Sequence, residues 1–250
     1  MKKILFIILA TLLTAYIGAY FYFFADKKPD GPVCEIVEVV IKDSLDIQFL
    51  TEKSIVEYLS KTNLYPLQKK WDEINTYHIE EALLKNELVE SAEVVRLMSG
   101  KITMVISQKM PILRVFSSGG SYFVDKTGQT MPVPLGQAIQ VPVASGNIEK
   151  SFAVSDLYKL ALFLQNDAFW NDQITQIYVR SKNDVEIIPR VGNHQILLGS
   201  LDDYEKKLKH LQMFYEQVIP KMGWEKYSVI NLKYRNQIVC TKKIKTKSDD

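Results

Sequence analysis

Cysteine is nearly absent from this chain. Its 250 residues include two, Cys34 and Cys240, near opposite ends of the region expected to fold. Neither stands in a CxxC spacing or beside a histidine cluster, which removes the support for a zinc or redox site. A single disulfide is chemically open if the folded part lies outside the cytoplasm, but two cysteines do not make a framework. Two unpaired, partly buried thiols are the expectation. Histidine is as scarce: His78, His194 and His210 have no catalytic partner in local sequence and read as surface or partly buried residues. An excess of charge of one sign is missing too. The net charge is +2, and setting aside Lys2 and Lys3 leaves 29 basic against 29 acidic residues. A balanced surface offers little to a nucleic-acid backbone, which demands clustered Lys and Arg. The one dense basic run, Lys242, Lys243, Lys245 and Lys247, closes with Asp249 and Asp250. It reads as a solvated, disordered tail over 243–250.

Motifs that carry chemistry are also lacking. There is no G-x-S-x-G elbow, S-x-x-K pair, phosphate loop, G-x-G-x-x-G or H-E-x-x-H. Asp202 and Asp203 sit where a helix N-terminus favours negative charge. Asp125-Lys126-Thr127-Gly128 reads as a turn rather than a cation site, because no further carboxylates follow at ligand spacing. No catalytic residue, metal ligand, cofactor-binding residue or small-molecule substrate is assigned, and the chain is not expected to be an enzyme.

What the chain does have is a long uncharged run, Ile4 to Ala25. At ~1.5 Å per residue it is long enough to cross a ~30 Å hydrocarbon core. Tyr20 to Phe24 suits an aromatic belt at the far interface. The run is too long, and its exit too bulky, for a cleaved signal peptide. A retained single-pass anchor is expected, with residues 1–3 cytoplasmic and the large C-terminal part exported.

A breaker-rich linker over 26–33 leads into a first unit over 34–109. Glu35 to Lys42 is β-rich. Thr51 is a plausible N-cap, with Ile55 and Leu59 on one helical face. A second helix is expected over Thr76 to Glu87. Strands over Ala92 to Met98 and Lys101 to Gln108 flank a Ser99-Gly100 turn. The order strand, helix, helix, strand, strand looks like a POTRA domain.

A second unit is expected over 110–242. Ile112 to Phe116 and Tyr122 to Val124 read as strands, and Val141-Pro142-Val143 with Ser145-Gly146 as punctuation. A helix follows over Val154 to Asn166, then strands over Ile174 to Arg180, Val185 to Arg190 and His194 to Leu198. Ser200 opens another helix, with Asp203 in a capping-box-like place. Tyr227 to Tyr234 and Gln237 to Lys242 form a closing hairpin around Arg235-Asn236. The fold class is α+β: one N-terminal transmembrane helix, a POTRA-like β-α-α-β-β domain, and a mostly antiparallel β domain with two packed helices.

Several stretches in succession resemble the FtsQ/DivIB family of bacterial cell-division proteins. They are Ser107 to Pro111 at the exit of the first unit, Tyr122-Phe123-Val124-Asp125 with Gly128, and Val141-Pro142-Val143 with Gly146. Ile196 to Gly199 follows, with Tyr204, Lys207, Leu208 and Leu211, and then Val229 to Tyr234 with Asn236 and Ile238. Asn231 and Lys233 depart from the family's usual Asp and Arg. The resemblance implies a non-catalytic scaffold in the bacterial inner membrane at the division septum. Its partners would be an FtsB-like and FtsL-like pair and the septal wall-synthesis machinery. By position it implies that Tyr234, Arg235, Gln237, Ile238, Val239 and Thr241 accept a partner segment by strand addition. Packing of Tyr234, Ile238 and Val239 into the sheet is the competing reading of the same residues. Glu35 to Lys42 is a weaker candidate surface. A wall-acting periplasmic enzyme and a POTRA-bearing assembly or transport factor are the alternative functions.

Overall fold

The computed structural model describes residues 2–24, 32–42, 49–134 and 139–244, with the side chains of 2–9 and 23–24 outside the description. Ala25, most of the linker and the tail beyond 244 therefore lie outside the described residues. The N-terminal run forms one helix, α1 (Lys2–Phe24). Among the described residues no helix is long and apolar enough to cross a membrane. The chain divides into two compact units, with α1 grouped in the first.

The first unit has strand β1 (Ile36–Lys42), helix α2 (Glu52–Lys61), a 3-10 turn (Trp71–Glu73), helix α3 (Thr76–Leu84), and strands β2 (Val89–Leu97) and β3 (Lys101–Gln108). Thr51 caps α2 as its sequence suggests: its side chain accepts from the Ser54 amide, and Ser54 Oγ accepts from the Thr51 amide. Asn75 caps α3 in the same way through the His78 amide. α3 ends at Leu84, three residues before the expected limit. β3 lies between β1 and β2. Its alternate residues Ile102, Met104 and Ile106 are fully buried, as are Ile55, Leu59 and Leu83 of the helices. The Tyr58 hydroxyl donates to the Ala82 carbonyl at 2.9 Å, tying α2 to α3.

The second unit opens with β4 (Pro111–Ser117), β5 (Gly120–Asp125), β6 (Thr130–Met131) and β7 (Val143–Gly146). A continuous helical stretch follows: α4 (Lys150–Phe152), a π turn (Ala153–Leu157) and α5 (Tyr158–Asn166). Then come α6 (Ala168–Gln173), β8 (Ile174–Ser181), β9 (Asp184–Pro189), β10 (Gln195–Gly199), α7 (Tyr204–Gln217) and α8 (Ile219–Met222). A 3-10 turn (Trp224–Lys226) leads to β11 (Tyr227–Asn231) and β12 (Val239–Lys242). All nine strands join one sheet in the order β12-β11-β10-β9-β8-β7-β4-β5-β6.

Three features differ from the sequence reading. The punctuation around Val143 to Gly146 is strand β7, which runs parallel to both β4 and β8. β10 and β11 are also parallel, so the sheet is mixed. A four-residue strand between proline and glycine is too short to show alternation, which is why it reads as loop. The helix after Ser200 starts only at Tyr204. Asp203 sits in the left-handed region with no side-chain cap bond. The Lys207 ammonium holds this turn by donating to the carbonyls of Leu198 and Ser200.

Gly146 shows how closely β7 is packed. Its φ is +110°, and a Cβ there would lie 2.2 Å from the Val179 carbonyl oxygen. Gly146→Ala should therefore cost roughly 3 kcal/mol. Gly119→Ala, whose Cβ would meet only the Ser117 hydroxyl at 3.7 Å, should stay within about 0.5 kcal/mol of the parent. Urea unfolding of the detergent-solubilised chain measures both; equal midpoints would refute the packing argument.

Candidate functional site

Strand β12 is an edge strand of the large sheet and, among the described residues, pairs with β11 alone. Its register against β11 sets Val239 opposite Asn231, Cys240 opposite Ile230 and Thr241 opposite Val229. Because side chains alternate across a strand, Cys240 falls on the same face as the buried Ile230. Val239 and Thr241 fall on the other face and are exposed. Both cysteines are free, and burial pushes both thiols above their usual range. Neither is activated as a nucleophile.

Of the six residues singled out in the sequence, only Val239 and Thr241 lie on β12. Tyr234, Arg235, Gln237 and Ile238 lie in the connection from β11, which is longer than the expected two-residue turn. The cause is local. The Asn231 side chain accepts from the Lys233 amide at 2.9 Å, an Asx turn that ends the strand. Asn236 then takes a left-handed φ of 60°, a conformation Asn tolerates. Tyr234 is 57% exposed and Val239 44% exposed. Ile238, by contrast, packs against the hydrophobic core. Ile238 therefore packs as the competing reading has it, whereas Tyr234 and Val239 stand exposed.

The connection forms one wall of a cleft of about 490 Å³. Tyr234, Arg235 and Gln237 line it from one side; Lys206, Lys207 and His210 of α7 line it from the other. The α7 residues are spaced to share a helical face, a signal present in the sequence, but nothing local placed them opposite the last hairpin. Burial lowers the affinity of Lys207 for its proton, against the pull of Asp202 and Asp203. Lys206 is bridged to Asp203 at 3.1 Å. Lys233 is bridged to Asp184 across the sheet. The cleft thus presents Arg235, His210, the tyrosine ring and the carboxylates of Asp202 and Asp203 next to the connection that leads into β12.

One histidine is buried, immediately before β10. His194 is 2% exposed, where the sequence suggested a surface or partly buried position. Its Nε2 lies 2.6 Å from the Tyr215 hydroxyl, and its ring stacks on Trp224. Nδ1 is buried without a partner. His78 is exposed and His210 half-buried. Among the described residues no group of three His, Cys, Asp or Glu side chains could hold a metal ion.

At the far side of the unit, Asp125 accepts from the Thr127 amide and hydroxyl and the Gln129 amide through Oδ1. This is the turn expected from sequence. Gly128 (φ +81°) brings it against the Tyr158 ring, and the Tyr158 hydroxyl donates to the Lys126 carbonyl.

The family model described as "FtsQ/DivIB, C-terminal related" matches residues 110–241, more than half of the chain. A POTRA-like domain model matches residues 32–107. The cell division protein FtsQ of Salinibacter ruber (strain DSM 13855 / M31) is 24% identical over 155 residues, covering 57% of this chain and 60% of that protein. The match thus spans less than two thirds of the relative's length. A solved structure, the major extracytoplasmic domain of the trans isomer of the bacterial cell division protein DivIB from Geobacillus stearothermophilus, is 13% identical. It covers 45% of this chain and 96% of that one, with a TM-score of 0.33.

The buried histidine generates a pH prediction. Burial holds its pKa below the ordinary 6.5, with Glu225 pulling weakly the other way. As pH falls below about 6.5 the unfolded chain takes up a proton on this imidazole before the folded chain does, so stability drops. The urea midpoint should fall between pH 7.5 and 5.5, and His194→Gln should flatten that slope while lowering the midpoint overall. An unchanged slope in the variant would assign the pH dependence elsewhere.

Proposed function

This chain belongs to the FtsQ/DivIB family of cell-division proteins, and from that premise we propose that it is a non-catalytic scaffold of the division septum. In this reading residues 4–25 cross the cytoplasmic membrane once, with the N-terminus inside and both units outside. The outer edge at β12 binds a segment of an FtsB-like and FtsL-like pair by strand addition. The same chain helps recruit the septal wall-synthesis machinery.

The observation that carries this reading is the outer edge of β12, which pairs with no other strand among the described residues, flanked by an exposed tyrosine and a cleft. Magnitudes show why the edge needs both. In an antiparallel pair, alternate residues turn their N–H and C=O groups outward, so four residues offer about four main-chain bonds to a new strand. At about 1 kcal/mol net each, these roughly match the lower bound of ~4 kcal/mol that association costs. Main-chain pairing alone would not hold a partner. The surplus must come from burying Tyr234 and Val239 and from the cleft behind them, which would also supply selectivity. Arg235 in that cleft can pair with an acidic side chain of a partner segment, beside Asp202 and Asp203 on the same lining.

Tyr234→Ala and Val239→Lys should each weaken capture of the FtsB- and FtsL-like pair by about tenfold or more, equivalent to ~1.4 kcal/mol, with circular dichroism unchanged. Ile238→Lys should also destabilise the fold, because that side chain packs on the core. The measurement is a pull-down of the tagged, detergent-solubilised chain with partners identified by mass spectrometry. Failure of the unmodified chain to retain such a pair would remove the main support for the scaffold.

A further inference from the structure

One end of the first unit carries apolar side chains that its own core does not use. Three stretches meet there. The Trp71 amide donates to the Pro32 carbonyl, the Cys34 amide to Lys69, the Gln68 amide to Cys34, and the Glu35 amide to Gly100. Arg96 lies over the Trp71 ring and donates to the Ile74 carbonyl. The entering chain, the 67–71 segment and the β2–β3 turn are thereby fixed side by side. Val33, Ile36, Leu67, Leu97 and Met98 are all exposed at this end, Met98 completely at 109%. Leu97 and Met98 occupy the approach to the hairpin tip, where a soluble protein ordinarily places polar residues. An exposed apolar cluster of this kind marks a surface that meets a partner.

We propose that this end of the first unit rests on the membrane, with Leu97 and Met98 dipping into the boundary between headgroups and acyl chains. The inference rests on the reading of residues 4–25 as an anchor. Its own support is the tether. Eight Cα–Cα steps separate Phe24 from Pro32, at most about 30 Å of extended chain. The chain enters the unit at this apolar end, so this end is the one held closest to the bilayer. The charges nearby are mixed, Lys69, Lys70 and Arg96 against Glu35 and Asp72. Insertion of apolar side chains rather than headgroup charge therefore drives the contact, and high salt should not release it.

The test uses the full chain in phosphatidylethanolamine–phosphatidylglycerol vesicles, with Cys34→Ala and Cys240→Ala so that one introduced cysteine carries a fluorophore. Met98→Cys is compared with Lys53→Cys on the first turn of α2. A lipid spin-labelled on its acyl chain should quench the dye at 98 several-fold more than at 53, and aqueous iodide should do the reverse. Equal lipid quenching at the two sites, in a chain that floats with the vesicles, overturns the contact and leaves the anchor standing. A dye at 98 shielded from both quenchers means that protein covers this end, from a second copy or another segment, and also overturns it. Failure of the chain to float removes the anchor and the contact together. Amide exchange of the native chain in vesicles gives a label-free check: residues 97–100 should exchange several-fold more slowly than in a chain bearing Leu97→Asp and Met98→Asp. Equal exchange counts against the contact.

Discussion

The second unit depends on keeping one side-chain register across seven strands. Val115 of β4 stands beside Ala144 of β7, and the row continues through Ile177, Ile187, Ile196 and Ile230 to Cys240. Every member but the last is fully buried or nearly so. Strand side chains alternate with a period of two, so a slip of one residue anywhere would turn the rest of the row to the other face. The adjacent row, Phe116, Ser145, Tyr178, Glu186, Leu197, Asn231 and Val239, faces the opposite way. The orientation of Val239 at the candidate binding edge is thus set by packing that begins six strands away.

Much of this architecture can be read from local sequence, and the parts that cannot share a cause. The Thr51 cap of α2, the start of α3 at Thr76, the turn at Ser99-Gly100 and the alternation in β3 all arise from interactions within a few residues. Strand β7 and the parallel pairings do not, because they depend on which distant segment lies alongside. The late start of α7 has a similar origin: Lys207 reaches back to hold the 198–200 carbonyls, overriding a capping pattern that looked adequate. The isolation of His194 in sequence gave no hint of Tyr215 and Trp224, which arrive from a helix and a turn more than twenty residues away.

The candidate site divides along the same line. Its strand character is visible in the β-rich run 237–242, and its edge position follows from family resemblance. The difference between Ile238 and Val239, one packed and one exposed, required the register. So did the opposite wall of the cleft. Departures from the family pattern at Asn231 and Lys233 acquire a structural content: Asn231 closes the turn that ends β11, and Lys233 pairs with Asp184 across the sheet.

The parallel pairing of β10 with β11 has a kinetic consequence. Gln195 must meet Val229 across an intervening crossover that contains α7 and α8, a closure far costlier in chain entropy than the tight turn between β8 and β9. The outer hairpin is therefore expected to dock late, onto a sheet whose central strands have already formed. Once docked, its outer strand β12 is held along one side, by β11, among the described residues. Local opening should begin there, and a bound partner would slow that opening most of all.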